Sequence, residues 1–310
     1  MSLQLFYDPG FAAPIGDHIM PIRKFGLVAE QAADLPGMAL AGVTPVTEED
    51  LLRVHAPAYI EAVKTGEPRE LAESQKFPWS PQLFPSVCLT NGAVRDAARH
   101  ALKAGAAGAL ASGFHHSCPD HGEGFCTFNG LIVALEWLKA HGHIQTAAIL
   151  DMDLHYGNGT ALLTATRPWI RSLSLYGNDY WDNIPYLDVS ERHHEDGSNH
   201  RSAAIIPTGG PDGDAMLALL DREIGWLVDA GKPDILLYQA GADPLKYDPY
   251  SPLDLTHDDL AARDRRVFEF ARQHALPVAW VLAGGYTKDV TQVVQVHVNT
   301  ALACRDTFSL

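Results

Sequence analysis

Short aliphatic runs alternate along the chain with longer stretches whose apolar residues recur every three or four positions. The runs LQLFY (3–7), GALAS (108–112), AAILD (147–151), RSLSL (171–175), DILLYQA (234–240) and VAWVLAG (278–284) predict β-strands. The helical spacing predicts helices over 81–104, 127–142, 213–230, 257–274 and 287–303. Thr256 followed by Asp258 and Asp259 marks the start of the fourth helix, and Gly105, Gly142 and Gly231 mark helix ends. This alternation predicts an α/β fold, an open, mostly parallel sheet with helices on both faces. No repeat, low-complexity tract or Pro/Ser linker interrupts it, so residues 1–310 read as a single domain. Residues 176–203, mixed in Tyr, Trp, Asn, His and Gly, read as the main irregular insertion.

In an open parallel sheet, ligands gather outside the carboxyl ends of the strands. Here those ends carry most of the chemistry. Strand 108–112 leads into His115 and His116, and strand 147–151 into DMDLHYGNG. Strand 234–240 leads to GADP and strand 278–284 to GGY. In DMDLHYGNG, the residues Asp151, Asp153 and His155 alternate, and an extended backbone would put all three on one face. Asp153 and His155 could then bind one cation with Asp243, leaving a position open for water and substrate, as in a catalytic zinc site, although such a stretch taken alone is often an ordinary turn. The same donors accept Fe(II).

Charge and composition narrow the partners. The net charge of −15 argues against direct nucleic-acid binding and suits a cationic substrate, while equally describing a solubilising surface. Four cysteines (Cys88, Cys118, Cys126, Cys304) without a CxxC pair predict reduced thiols. No apolar run is long enough for a membrane span, and MSLQLFYDPG lacks the pattern of a signal peptide. A cytoplasmic protein is the expectation; oligomeric state is not legible.

GFHHSCPDHGEGFC, ILDMDLHYGNGT, YQAGADPLKYDP and LAGGY resemble, in order, the active-site segments of the histone deacetylase family. FHHSCPDHGEGFC and EEDLLRVHAPAYI look most like its class IV branch and the bacterial deacetylase-like amidohydrolases. The resemblance implies an arginase/deacetylase-like fold and hydrolysis of acylated lysine side chains. It implies zinc held by Asp153, His155 and Asp243. His116 would be general base and then acid, and His115 an electrostatic partner. Asp151 would back His115, Asn158 would back His116, and Tyr286 would donate to the oxyanion. Gly124 and Phe125 would wall a tunnel for the lysine stem, while Gly284 and Gly285 would let backbone approach the substrate. A structural potassium ion would lie at Asp151, Asp153, His155, Ser174 and Leu175.

Several residues keep simpler readings. Tyr176, Tyr180 and Trp181 are candidates for the opposing aromatic wall. Cys126 fits a cysteine beside the pocket, and Cys118 a small loop residue. His18 with Arg23 or Lys24 is a candidate channel for released carboxylate. His193, His194 and His200 read as solvated surface, His55 as a helix-terminal residue, and His121 has no assigned role. An acetylpolyamine deacetylase, a silent acyl-lysine binder and a binuclear manganese ureohydrolase stay open as alternatives.

Overall fold

The computed structural model describes residues 2–178 and 197–310. Its strands are β1 (Leu3–Phe6), β2 (Met38–Ala41), β3 (Ala106–Ser112), β4 (Ala147–Asp151), β5 (Ile170–Tyr176), β6 (His200–Ala204), β7 (Leu236–Ala240) and β8 (Val278–Leu282). They form one sheet in the order β2-β1-β3-β8-β7-β4-β5-β6, parallel at every pairing. Four short helices precede β3: α1 (Lys24–Ala33), α2 (Glu48–Leu52), α3 (Pro57–Thr65) and α4 (Arg69–Ala72). The others are α5 (Leu83–Ala104), α6 (Gly130–Ala140), α7 (Asn158–Thr164), α8 (Gly213–Glu223), α9 (Trp226–Asp229), α10 (His257–Gln273) and α11 (Val290–Phe308).

Every residue of β3, β4, β7 and β8 is buried, so helices cover both faces of the central sheet. After β3 the chain passes over two places that β7 and β8 fill later. This switch makes β3, β8, β7 and β4 neighbours. Their carboxyl ends, the four loaded with chemistry, therefore open onto one crevice.

The cap signals act as expected. Thr256 Oγ1 accepts from the Asp259 N–H at 3.2 Å while Asp259 returns the bond to the Thr256 N–H at 2.8 Å, fixing the start of α10. Gly105 ends α5 at φ +91°, a conformation that suits glycine. Other expectations need correction. The helix expected over 213–230 divides at Gly225 into α8 and α9. Strands β2 and β6 and helices α1–α4 and α7 were not legible. Strand β4 stops at Asp151 instead of continuing extended through His155. The Asp151 carboxylate takes the Asp153 N–H at 3.0 Å, and Asp153 takes the His155 N–H at 3.0 Å. Two successive side-chain-to-backbone turns thus replace the strand.

The insertion is also only partly irregular, because His200–Ala204 form β6 beside β5. Residues 179–196, with Tyr180, Trp181, His193 and His194, lie outside the described residues. All four cysteines are free and buried. Among the described residues, no helix is long and apolar enough to cross a membrane.

Candidate active site

The turns after β4 and β7 bring Asp153, His155 and Asp243 together. One donor atom from each lies within 4.8 Å of the others, and all three side chains are buried. The His155 Nδ1 is 3.2 Å from Asp243 and 3.4 Å from Asp153. Backbone donors aim the carboxylates: Leu154 N–H donates to Asp243 at 3.0 Å and Gly284 N–H to Asp153 at 2.8 Å. A Cβ on Gly284 would collide with the Asp243 carboxylate, so glycine is what lets β8 end this close to the trio. Gly285 follows at φ +141°, open only to glycine. Burial, then repulsion from Asp153, pushes Asp243 up to about 7. Two buried acids and an imidazole facing one point form a donor set that a divalent cation relieves, so the residues fit a metal.

Beside this trio sit the paired histidines. Their ring centroids are 4.0 Å apart, and the His116 ring is 6.0 Å from that of His155. The His115 Nδ1 is 2.7 Å from Asp151, and the His116 Nδ1 is 2.6 Å from the Asn158 side-chain oxygen. These partners separate the rings electrostatically. Burial opposes charge on His115, but the charges of Asp151 and Asp153 override it and lift the imidazole to about 9. His116 has a neutral partner, and burial followed by the positive charge of His115 holds it well below the ordinary value. One histidine is cationic and the other is a free base.

A narrow cavity of ≈ 190 Å³ reaches this point, lined by His116, Gly124, Phe125, His155, Tyr250 and Tyr286. Gly124 and Phe125 take successive left-handed conformations at φ +50° and +64°. Such a conformation is costly for phenylalanine and is held by a 3.0 Å bond from the Phe125 N–H to the Gln75 carbonyl. The Phe125 ring packs edge-on to His18 at 4.8 Å and tilted against Tyr286 at 5.9 Å. Burial, then the charges of Asp243 and Asp153, raises the Tyr286 phenol well above its ordinary value. It stays protonated and able to donate.

Other expected positions resolve differently. Tyr250 also lines this cavity, its ring 5.3 Å from that of Tyr286; of the aromatic candidates, Tyr176 is fully buried and packs on Tyr156 at 5.3 Å, while Tyr180 and Trp181 lie outside the described residues. His200 is no surface residue: it is buried between the Ser172 hydroxyl at 2.7 Å and the Tyr156 hydroxyl at 2.9 Å. The polar pair satisfies a ring whose sequence context suggested solvent. His55 is not helix-terminal but lies in the turn between α2 and α3 and joins two loops, bonding the Cys118 carbonyl at 2.9 Å and accepting the Asn129 N–H at 3.0 Å. Arg23 is exposed, whereas Lys24 is fully buried and donates to the Ala283 carbonyl behind Tyr286. Asp151 and Ser174 pair in register across β4 and β5, with Leu175 next along β5.

Four contributors had no local signal. Arg263 of α10 donates to the Met152 carbonyl at 3.1 Å and the Gly241 carbonyl at 2.8 Å, tying together both turns that carry the trio. Its buried partner Asp264 also holds the Tyr238 and Thr300 hydroxyls. Removing either partner of such a pair costs about 3–5 kcal/mol. Asp248 accepts the N–H groups of Tyr250 at 3.0 Å and Tyr286 at 2.7 Å, so one carboxylate sets both tyrosines. Glu123 accepts from the Asn158 amide at 2.7 Å.

Comparison with known proteins gives the family and the fold. The family model of the histone deacetylase domain matches residues 19–302. An uncharacterised protein of Picosynechococcus is 29% identical over 99% of this chain and 100% of its own. Histone deacetylase 2 of Arabidopsis thaliana is 29% identical over 93% of this chain and 74% of its own length. The histone deacetylase-like amidohydrolase of Pseudomonas aeruginosa is 29% identical over 81% of this chain and 67% of its own. The solved HD domain of HDA15 has the same fold, with a TM-score of 0.78 at 20% identity over 99% of this chain and 88% of that one. The matches support a hydrolase of the deacetylase and amidohydrolase type. By the match over most of its length, the chain belongs to the histone deacetylase family.

Proposed function

We propose that the chain is a zinc-dependent amidohydrolase that removes acyl groups from lysine side chains of peptides or proteins. The observation that carries this reading is that His116, His155 and Tyr286 line one narrow cavity, with Asp153 and Asp243 buried behind it. Asp153, His155 and Asp243 would hold the zinc, and Fe(II) suits the same donors. Bound there, the metal supplies Lewis-acid polarisation of the amide carbonyl and acidifies water.

The chain's own residues perform the rest. Phe125 and Tyr250 receive the four-carbon stem of lysine between aromatic faces. His116, neutral and oriented by Asn158, takes a proton from the attacking water and returns it to the departing amine. His115 keeps its positive charge through Asp151 and stabilises the negative charge that develops on the carbonyl oxygen. Tyr286 donates a hydrogen bond to that same oxygen. The same reading gives a structural potassium ion to Asp151, Ser174 and the backbone at Asp153, His155 and Leu175. Its support is the register of Asp151 with Ser174.

Lys76 lines the cavity and is exposed, placing positive charge at its entrance. That charge opposes a second ammonium group and favours acyl-lysine in a peptide over an acylated polyamine. Zinc-loaded protein is expected to turn over an acetyl-lysine peptide with a kcat/KM at least about 10-fold above that for acetylspermidine. A myristoyl-lysine peptide in the same panel reads acyl length. Preference for acetylspermidine would transfer the reading to a polyamine amidohydrolase, and no turnover of any amide would leave a silent binder.

A further inference from the structure

The polar chain that begins at His116 does not stop at Asn158. The Asn158 side-chain NH₂ donates to one Glu123 oxygen at 2.7 Å, with the Cys118 sulfur at 4.0 Å. The other Glu123 oxygen is 2.8 Å from the His121 Nε2, and the His121 Nδ1 is 2.7 Å from Asp120. Five residues thus lead from the reaction cavity to the surface, where the Asp120 side chain is 72% exposed. We propose that Glu123 is a positioning residue that sets the tautomer of His116 through the Asn158 amide. The effect on rate rests on His116 being the proton carrier; the effect on the tautomer does not.

The argument is one of donors and acceptors. An ionised carboxylate only accepts, so the edge of Asn158 facing Glu123 has to be its NH₂. The Asn158 oxygen then has to face His116, and an oxygen requires a hydrogen on the Nδ1 it meets. In a neutral imidazole that leaves the lone pair on Nε2, the nitrogen a base uses. Without Glu123, the amide can turn over and present NH₂ to His116, which selects the opposite tautomer and a ring that cannot accept on Nε2.

His121 holds the Glu123 carboxylate in place. Both ring nitrogens face carboxylates, which only the doubly protonated ring satisfies. Partial burial works against that charge, but the bonds to Glu123 and Asp120 outweigh it and raise His121 above the ordinary imidazole value. Cys118, His121 and Glu123 also lie close enough to hold a metal. Burial pushes the Cys118 thiol up to about 12, so it stays protonated, and the other two groups already satisfy one another. The cluster is a hydrogen-bonded relay of orientation. The negative charge sits one amide away from His116, where it fixes geometry without lifting the base's affinity for protons as a directly bonded carboxylate would.

The test compares the zinc-loaded chain with its Glu123→Gln and Glu123→Ala variants. Ring ¹⁵N shifts of His116 report the tautomer directly. The Nδ1–H form is expected in the parent, with the Nε2–H form outnumbering it about tenfold in both variants. In Glu123→Gln, kcat falls about 10-fold while KM stays within about twofold. In an Asn158→Asp background, where a carboxylate meets Nδ1–H directly, Glu123→Gln costs nothing. An unchanged tautomer in both variants overturns the proposal, as do equal losses of kcat in the two backgrounds, the result of a merely structural loop. Should His116→Ala keep full turnover, the functional reading fails while the ¹⁵N shifts still decide this one.

Discussion

His116→Ala is expected to lower kcat on an acyl-lysine peptide by about 10²–10⁴-fold, the usual worth of a positioned general base and acid. The expectation follows from the environment of the ring. Asn158 fixes His116 at 2.6 Å, and burial with the charged His115 beside it keeps it unprotonated. His115 cannot substitute, because Asp151 and Asp153 hold it in its charged form. The three proposed metal ligands remain, so bound zinc should stay at the parent level and KM should change little. Steady-state kinetics with metal analysis checks both. A loss below about threefold with zinc retained would remove His116 from the proton path.

Tyr286→Phe is expected to cost about 10²–10³-fold in kcat, or about 3–4 kcal/mol of transition-state stabilisation. Only the hydroxyl is lost. The ring contacts to Phe125 and Tyr250 survive in phenylalanine, so thermal stability and KM should hold. The backbone of residue 286 stays bonded to Asp248. Because Tyr286 remains protonated well above its ordinary range, the loss should be uniform between pH 6 and 9. Turnover within about fivefold of the parent would mean that the oxyanion finds its donor elsewhere.

The parts of the site legible in the sequence were those written in local order. Aliphatic runs located β3, β4, β7 and β8, and the chemistry at their ends could be listed before knowing that the strands are neighbours. The histidine pair, Asp153, His155, Asp243 and Tyr286 follow directly from those ends. Failures came where a partner distant in sequence decides the environment. Arg263 and Asp264 look like surface charges of an amphipathic helix, yet they are fully buried under the two turns of the trio. His200 opens a strand in which alternate residues are buried, and its polarity is answered by Ser172 and Tyr156. Tyr250 and Asp248 sit in a Pro- and Asp-rich loop with no periodicity to mark them. Asp151, Asp153 and His155 do converge near one another, but through turns made by their own carboxylates. Alternation alone could not distinguish those turns from a strand. His121 becomes interpretable only through Glu123 and Asn158, since its neighbours in sequence do not reveal that contact.

The most direct test of the account is a zinc titration of the metal-free protein, with bound metal and acyl-lysine turnover read on the same samples. The account predicts that turnover rises with zinc to a plateau at one ion per chain, and that Asp243→Asn neither binds this ion tightly nor turns over substrate. Full turnover without metal, or activity that appears only as a second ion binds, would contradict it.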